Sequence, residues 1–540
     1  MAAENLIMAR GYRPVDRDQQ FLLPPDMREW LPASDPVWLV MRLIEQLDTS
    51  TFHVGRRVGG VGRAGYDPDM LLALLVWAWM QGEHSSRRIE RLCGRDVSFR
   101  VICAGDAPDH ATIARFRQGF AAAVEELFVE VLVLCRRLGL GQVGVVAVDG
   151  TKIAAPASQG ANRTAEGLRK AAEAEQQRTA ARRAARDAAR RHAENDAAED
   201  ARFGAERGDE MTGEMTQPGG GSSREARIAA AIVELEVERE QAEAEQAARN
   251  AARQQRVRAK GGRPVDGRPP AGTEVELAEQ AVLAARAEVL QRLAAFEESG
   301  GRGRHPCPGG VESSWRVRHA LARLSRARVV VARREAAQAE KRSEPVRNIT
   351  DPQSRLMPVK GGWVQGYNAQ AVTTCDGIIL AAQVSNSQSD LAAFVTMMDA
   401  SAAMAARLGE EPIGLLLADA GYLSVDNLTA AGPDRLIAVG KGHAIERRAQ
   451  RSAVAGESGT SHPAVQAMRD RLASPDGIQA YRRRGQIAET PFGHGKHNWR
   501  FRQFTGIGQR RAQAEWTFHA AVHNLSKIIS HTLTAVQQTG

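Results

Sequence analysis

Three acidic residues stand where carboxylates can do metal and phosphate chemistry. Asp149 closes the apolar run Val143-Gly144-Val145-Val146-Ala147-Val148, and Asp419 closes Ile413-Gly414-Leu415-Leu416-Leu417-Ala418. Short runs of this kind, bounded by turn signals, predict strands buried on both faces of a sheet, which places each aspartate at a strand end on the rim. Glu489 belongs to a different setting, in which Tyr481, Arg484, Glu489 and Lys496 have the spacing Y-x2-R-x4-E-x6-K. On a helix turning roughly 100° per residue, Tyr481, Glu489 and Lys496 fall within about an 80° sector, with Arg484 to one side. Pro491 is expected to interrupt that helix just after Glu489. Carboxylate oxygens suit hard divalent cations. An arginine fork and a lysine point charge beside them suit phosphate.

The elements that must position these groups can be read from periodicity. Trp363 to Thr373 and Ile378 to Val384 are β-prone runs separated by Cys375-Asp376-Gly377, whose Asp-Gly step predicts a hairpin. A helix is expected over residues 390–408, then the strand leading to Asp419, a helix around 425–431 and a strand over 436–439. Toward the N-terminus, Asp67 is a suitable N-cap and Pro68 a suitable first-turn residue for a helix through Leu71, Leu72, Leu75 and Trp79. Its apolar stretch, Met70 to Met80, is too short to span a bilayer and reads as a buried core helix. Gly82 permits a turn into a short helix over Ser85 to Leu92, which carries Arg87 and Arg88, and a third helix begins at Asp109 and includes Arg115-Phe116-Arg117. Short helices with a basic face and tight turns fit a helix-turn-helix element, and equally a plain bundle with solvated arginines.

Residues 155–348 differ in character, being dominated by Ala, Arg, Glu and Gln, all good helix formers. Pro218-Gly219-Gly220-Gly221 and Gly261-Gly262-Arg263-Pro264 are expected to divide the segment into separate helices with hinges between them. Ile228, Ile232 and Leu235, and again Val317, Leu321 and Leu324, have the i, i+4, i+7 spacing of one helix face. Such thin stripes predict helical hairpins or a coiled coil. Arg182, Arg186 and Arg190 form a basic stripe, either a solvated face or a track for phosphates.

Composition narrows the classes. The 540 residues allow three or so domains. A 43% hydrophobic content supports a core, and 72 basic against 64 acidic residues give +8, the sign expected of a protein that meets phosphate backbones. Cys93, Cys103, Cys135, Cys307 and Cys375 are odd in number and lack a C-x2-C pair, which argues against a disulfide framework or structural zinc and for a reducing cytoplasm. Met1-Ala2-Ala3-Glu4 does not open a signal peptide. His519 and His523 have ligand-like spacing without a third ligand and read as a packed or solvated pair. Glu515 is a second acid near the block but lacks its Tyr-Arg and Lys companions. Asp351 and Ser354 are suited to turn formation.

Read in order, Val148-Asp149-Gly150-Thr151-Lys152, Asp351-Pro352-Gln353-Ser354-Arg355-Leu356-Met357, Gly366-Tyr367-Asn368-Ala369-Gln370, Ala418-Asp419-Ala420-Gly421-Tyr422, the Tyr481-to-Lys496 block with Phe492-Gly493 inside it, and His523-Asn524-Leu525 form a pattern. It resembles that of the DDE transposases of bacterial insertion sequences, in the branch with an InsH-type N-terminal domain. Asp109-His110-Ala111-Thr112 and Arg115-Phe116-Arg117 agree with that domain.

The resemblance implies an α/β, RNase H-like core of the retroviral integrase superfamily, with its first and fourth strands side by side. It implies a helical DNA-binding domain over residues 1–140, the first part of the core over 141–154, a helical or coiled-coil insertion over 155–348, and the remaining core and C-terminal helices over 349–540. Asp149, Asp419 and Glu489 would then be catalytic and hold two Mg2+ or Mn2+ ions, with Asp149 bridging. One ion would activate a water or a DNA 3′-hydroxyl, and the other would stabilise the leaving oxygen. Tyr481, Arg484 and Lys496 would hold DNA near the cleaved ends, and Arg87 and Arg88 would bind DNA from the N-terminal domain. The implied partners are transposon-end and target DNA and a second copy of the chain in a synaptic complex, with no membrane. The alternatives are a catalytically inactive, transposase-derived DNA-binding protein and a host nuclease without strand transfer.

Overall fold

The computed structural model describes residues 26–54, 65–119, 123–203, 223–259, 271–301, 304–341, 345–409, 411–440 and 462–539. The chain divides into two compact units, one of residues 1–157 with 354–540 and the other of residues 158–353.

The first unit opens with helices α1 (Pro36–Glu45), α2 (Ser50–His53), α3 (Pro68–Met80), α4 (Ser86–Arg95), α5 (Val97–Ile102), α6 (His110–Gly119) and α7 (Ala123–Arg137). The Asp67 carboxylate caps α3 by accepting the Asp69 N–H at 2.9 Å, with Pro68 as first helical residue. Every residue from Leu71 to Trp79 is buried, as an all-apolar helix requires. Helix α5 is too short to leave a periodic signature, but Asp96 starts it by accepting the N–H groups of Ser98 and Phe99.

Strand β1 spans Val145–Ala154. The expectation that the strand ends at Asp149 is therefore corrected: it continues five residues further, because the long β5 offers it an antiparallel partner from Thr374 to Gly366. Asp149 still lies at a rim, that of the neighbouring parallel strand on its other side.

The second unit comprises β2 (Asn162–Arg163), α8 (Ala165–Phe203), α9 (Arg224–Ala259), α10 (Ala271–Glu298), α11 (Trp315–Lys341) and β3 (Arg347–Asn348). Its two ends are zipped together by the β2–β3 ladder, which pairs Asn162 with Asn348 and Arg163 with Arg347. The buried Asn348 amide donates to Ser158 O at 2.7 Å, and its oxygen accepts the Thr350 N–H at 2.9 Å. Leu168 of α8 packs with Ile228 and Ala231 of α9, and Val282 and Val289 of α10 pack with Leu324 and Val317 of α11. The helices thus pair through the thin apolar stripes read from the sequence. Arg182, Arg186 and Arg190 are exposed. The two glycine clusters expected to act as hinges lie outside the described residues.

The first unit resumes with β4 (Arg355–Val359), β5 (Gly362–Thr374), β6 (Ile379–Ser385), α12 (Ala393–Arg407), β7 (Leu415–Ala418), α13 (Val425–Thr429), β8 (Asp434–Ile437), α14 (Pro463–Ala473), α15 (Pro475–Gly493) and α16 (Gln509–Thr539). The sheet order is β4-β5-β1-β7-β8, with β6 also paired to β5. Taking β1, β5, β6, β7 and β8 as the five core strands, the first and fourth lie side by side and parallel, as the RNase H-like expectation required. Strand β4 was hidden in the sequence by Pro358, which breaks a strand signal but is tolerated at a sheet edge. The N-terminal helices pack on this core, with α16 lying against α1, α3, α7 and β6.

Candidate active site

The aspartates meet because β1 and β7 run parallel in the register Ala147↔Leu417. Asp149 and Asp419 each follow that last pair by two residues, so they arrive at the same level of the sheet. The Asp149 Oδ1 accepts the Gly150 N–H at 2.8 Å and its Oδ2 lies 3.1 Å from the Arg484 guanidinium. Asp419 Oδ1 accepts the Gly421 N–H at 2.8 Å, and its Oδ2 faces the same Arg484 at 3.8 Å. A shared guanidinium offsets the repulsion between the two carboxylates.

Helix α15 is held over the strands by Ile487 and Ala488, which pack against Ala147, Leu417 and Leu436. The same face places Tyr481, whose hydroxyl donates to Ala418 O at 3.3 Å. Contrary to expectation, Pro491 does not end α15: the helix runs to Gly493 and passes into a π turn over His494–Asn498. Proline removes one helical N–H, and the wider π turn that follows absorbs the local change in winding. This turn delivers Lys496, whose ammonium donates to the Thr151 hydroxyl and to Lys152 O.

Tyr481, Arg484 and Lys496 thus touch β1 or the end of β7. Glu489, just beyond the buried pair Ile487-Ala488, is exposed, and the Arg484 ion pairs are made with Asp149 and Asp419. Because α15 is continuous from Pro475 to Gly493, the expected angular spacing of Tyr481 and Glu489 is kept, and only Lys496, in the π turn, leaves that helical register.

A further acid, Asp390, lies at the site. Its Oδ1 accepts from Lys152 Nζ at 2.9 Å, Asn368 Nδ2 at 2.7 Å and Gln370 Nε2 at 2.8 Å. The Tyr422 hydroxyl donates in turn to Gln370 Oε1. A visible signal was the pair Asn368 and Gln370, alternate polar residues within the run from Tyr367 to Val372. Both are buried and therefore need partners.

Burial pushes the Asp149 carboxyl up to about 6, against the pull of Arg484 and the Gly150 N–H, with Asp419 and Asp390 adding to the rise. Burial and the same three carboxylates push the Tyr422 phenol up, so it stays a donor. Burial, with Arg502 and Lys152 nearby, pulls the Lys496 ammonium down.

The donor set is entirely oxygen, which suits Mg2+ or Mn2+. Two glycines lie close against these side chains. A Cβ on Gly150 would stand 2.1 Å from Gln370 Nε2 and 3.0 Å from Asp390 Oδ1, and one on Gly421 would stand 3.0 Å from Asp419 Oδ1 and 3.6 Å from Asp390 Oδ2. Among the described residues, the acids of this site do not bring three ligand atoms within 4.8 Å of one another; His53, Asp67 and Asp69 do, but Asp67 caps α3 and His53 pairs with Asp69 at 3.0 Å.

Residues 337–525 match the family model described as a transposase DDE domain, and residues 25–119 match the one described as transposase domain DUF772. The chain belongs to the DDE transposases of insertion sequences. No curated protein and no solved structure matches it.

The DDE match takes in Asp390, Asp419, Arg484, Glu489 and Lys496, whereas Asp149 of the transposase precedes it. In the N-terminal region Arg87 and Arg88 are exposed, with Arg88 3.4 Å from Glu83. Arg117 of the Arg-Phe-Arg motif instead turns inward, donating to His84 O at 2.6 Å and Thr505 Oγ1 at 2.7 Å and lying over the Trp79 ring. The transposase buries His519 and His523 in its core, with His519 stacked on Phe501 and Trp516. Glu515 anchors the backbone of Thr505 and Gly506. No helix among the described residues is long and apolar enough to cross a membrane.

Proposed function

We propose that this transposase binds the inverted repeats at the ends of its element, hydrolyses phosphodiester bonds there to free 3′-hydroxyls, and joins those ends to target DNA. The observation that carries this reading is the parallel β1–β7 register that brings Asp149 and Asp419 to one guanidinium. Both reactions are in-line substitutions at phosphorus, so one site serves both.

Asp149 and Asp419 would hold the divalent cations, with Glu489 contributing from α15. Mg2+ or Mn2+, two per site, supplies an activated oxygen nucleophile and charge neutralisation at the leaving oxygen. Arg484, already held between the carboxylates, is placed to turn its remaining donors to a phosphate. Tyr481 steadies α15 on the end of β7, and Lys496 adds a positive charge beside β1. Arg87 and Arg88 supply phosphate contacts that fix the DNA without reading sequence. Two ends must be joined in one event, which calls for a homodimer in the synaptic complex.

The test is nicking of DNA carrying the element's terminal inverted repeats in Mg2+ or Mn2+. Wild type should nick at the transposon ends, and Asp149→Ala, Asp419→Ala or Glu489→Gln should lower the rate by about a thousand-fold or more. Undiminished nicking by Asp149→Ala would overturn the proposal. Tight repeat binding without nicking by wild type would instead support a transposase-derived DNA-binding protein.

A further inference from the structure

We propose that Asp390 is a fourth acidic residue of the active site, with Oδ2 as a ligand to the divalent cation held by Asp419. This rests on the reading of Asp149 and Asp419 as metal ligands.

The two oxygens of Asp390 are in different circumstances. Oδ1 is saturated by Lys152, Asn368 and Gln370, which arrive from β1 and β5. The donors are themselves fixed. Gln370 and Asn368 are buried, Gln370 Nε2 also donates to Asn368 Oδ1 at 2.9 Å, and Gln370 Oε1 accepts from the buried Tyr422. A carboxylate gripped by three donors on one oxygen has little freedom to rotate, so Oδ2 is presented in one direction. That direction is the gap beside Gly421, which Asp419 Oδ1 also lines. At the other end of the same carboxylate, Gly150 makes room for the Gln370 amide against Oδ1. Asp390 Oδ2 and Asp419 Oδ1 therefore border the same gap, and a side chain at Gly421 would crowd it.

A merely structural role for Asp390 would need Oδ1 alone. The ion pair with Lys152 satisfies that lysine, and the two amides need only an acceptor. That role does not require Oδ2 to face Asp419, and among the described residues no donor turns it elsewhere. Saturating one oxygen while leaving the other open is how outer hydrogen bonds orient a metal-binding carboxylate.

Asp390→Asn separates the two roles, because an asparagine keeps Oδ1 for its three donors and replaces only Oδ2 with an amide. The measurement is calorimetric titration of the full-length protein with Mn2+, alongside thermal unfolding in EDTA. Asp390→Asn should weaken Mn2+ binding about ten-fold or more while its unfolding midpoint stays near that of wild type. Mn2+ affinity within two-fold of wild type, whatever the midpoint, overturns the proposal. Asp149→Asn is the parallel arm: if it leaves Mn2+ affinity unchanged, the metal-site reading itself fails, whereas loss in Asp149→Asn with none in Asp390→Asn refutes only the role of Asp390. Should Asp390→Asn not fold, wild-type protein loaded with Fe2+ and treated with hydrogen peroxide and ascorbate should be cut by locally generated radicals near residues 149, 390 and 419. Cuts near 149 and 419 without one near 390 would equally overturn the assignment.

Discussion

Asp149 combines two demands that pull its charge in opposite directions. Burial lifts its carboxyl from the usual 3.8 to about 6, so between those values the folded chain holds a proton that the unfolded chain has released. Where the folded state binds more protons, stability falls as pH rises, so this residue's destabilising influence is absent below about pH 4 and complete above about pH 6. In EDTA, the unfolding midpoint of Asp149→Asn relative to wild type should therefore move upward as pH is raised through that window. A difference independent of pH would contradict the burial argument. Cation binding needs the ionised carboxylate, so Mn2+ affinity should increase over the same interval. At this scale the sequence was legible where chemistry and strand context coincide, as at Asp149 and Asp419, each of which follows an apolar run. Asp390 escaped because it ends the polar segment Ser385-Asn386-Ser387-Gln388-Ser389, where an acid reads as a helix-capping residue. Its significance depends on Lys152, Asn368 and Gln370, which only the pairing of β1 with β5 brings to it.

Among the elements, the apolar runs gave β1, β5, β6 and β7 their places, and the Asp-Gly step gave the β5–β6 hairpin. What could not be read was how two irregular features combine in α15. Pro491 is a helix breaker in isolation, yet the packing of Ile487 and Ala488 on the sheet holds the helix together through it, and the π turn beyond carries Lys496 back to β1. The arginines of the N-terminal helices divide in the same way between local pattern and packing. Arg87 and Arg88 are exposed on α4, whereas Arg117 on α6 is consumed by His84, Thr505 and Trp79. Replacing Arg87 and Arg88 together by Ala should leave the unfolding midpoint unchanged, weaken binding to all DNA sequences alike, and reduce the salt dependence of binding by about two counterions. Arg117→Ala should instead cost about 2 kcal/mol or more of stability, through lost hydrogen bonds and a lost cation–π contact. Thermal melts and salt-dependent DNA-binding titrations of the two variants distinguish these roles, and a stable Arg117→Ala protein with selectively weakened DNA binding would reverse the assignment.

The whole chain interrupts its main sheet with a helical unit whose ends are drawn together by its own short ladder. Asn162 pairs with Asn348 and Arg163 with Arg347, so that the long excursion through α8 to α11 leaves and re-enters at adjacent backbone positions. That arrangement explains how Asp149 can belong to a sheet whose remaining strands follow the insertion. It also implies that the sheet does not require the helices, because the antiparallel ladder is itself the geometry of a hairpin and can be closed by a two-residue turn. Deleting residues 164–346 and joining Arg163 to Arg347 through Asn-Gly should give a monodisperse protein that unfolds cooperatively and binds Mn2+ within a few-fold of the full chain. The hydrophobic clusters of the insertion, Leu168 with Ile228 and Val282 with Leu324, are separate from the core that contains Val146, Val372 and Leu416, so each unit has a core of its own. If the deleted protein aggregates or loses Mn2+ binding while Asn348 and its ladder are retained, the insertion is a folding requirement of the catalytic unit. If it folds and binds Mn2+ but no longer nicks terminal repeats, the helices act on DNA, and the exposed Arg182, Arg186 and Arg190 stripe is the first surface to replace.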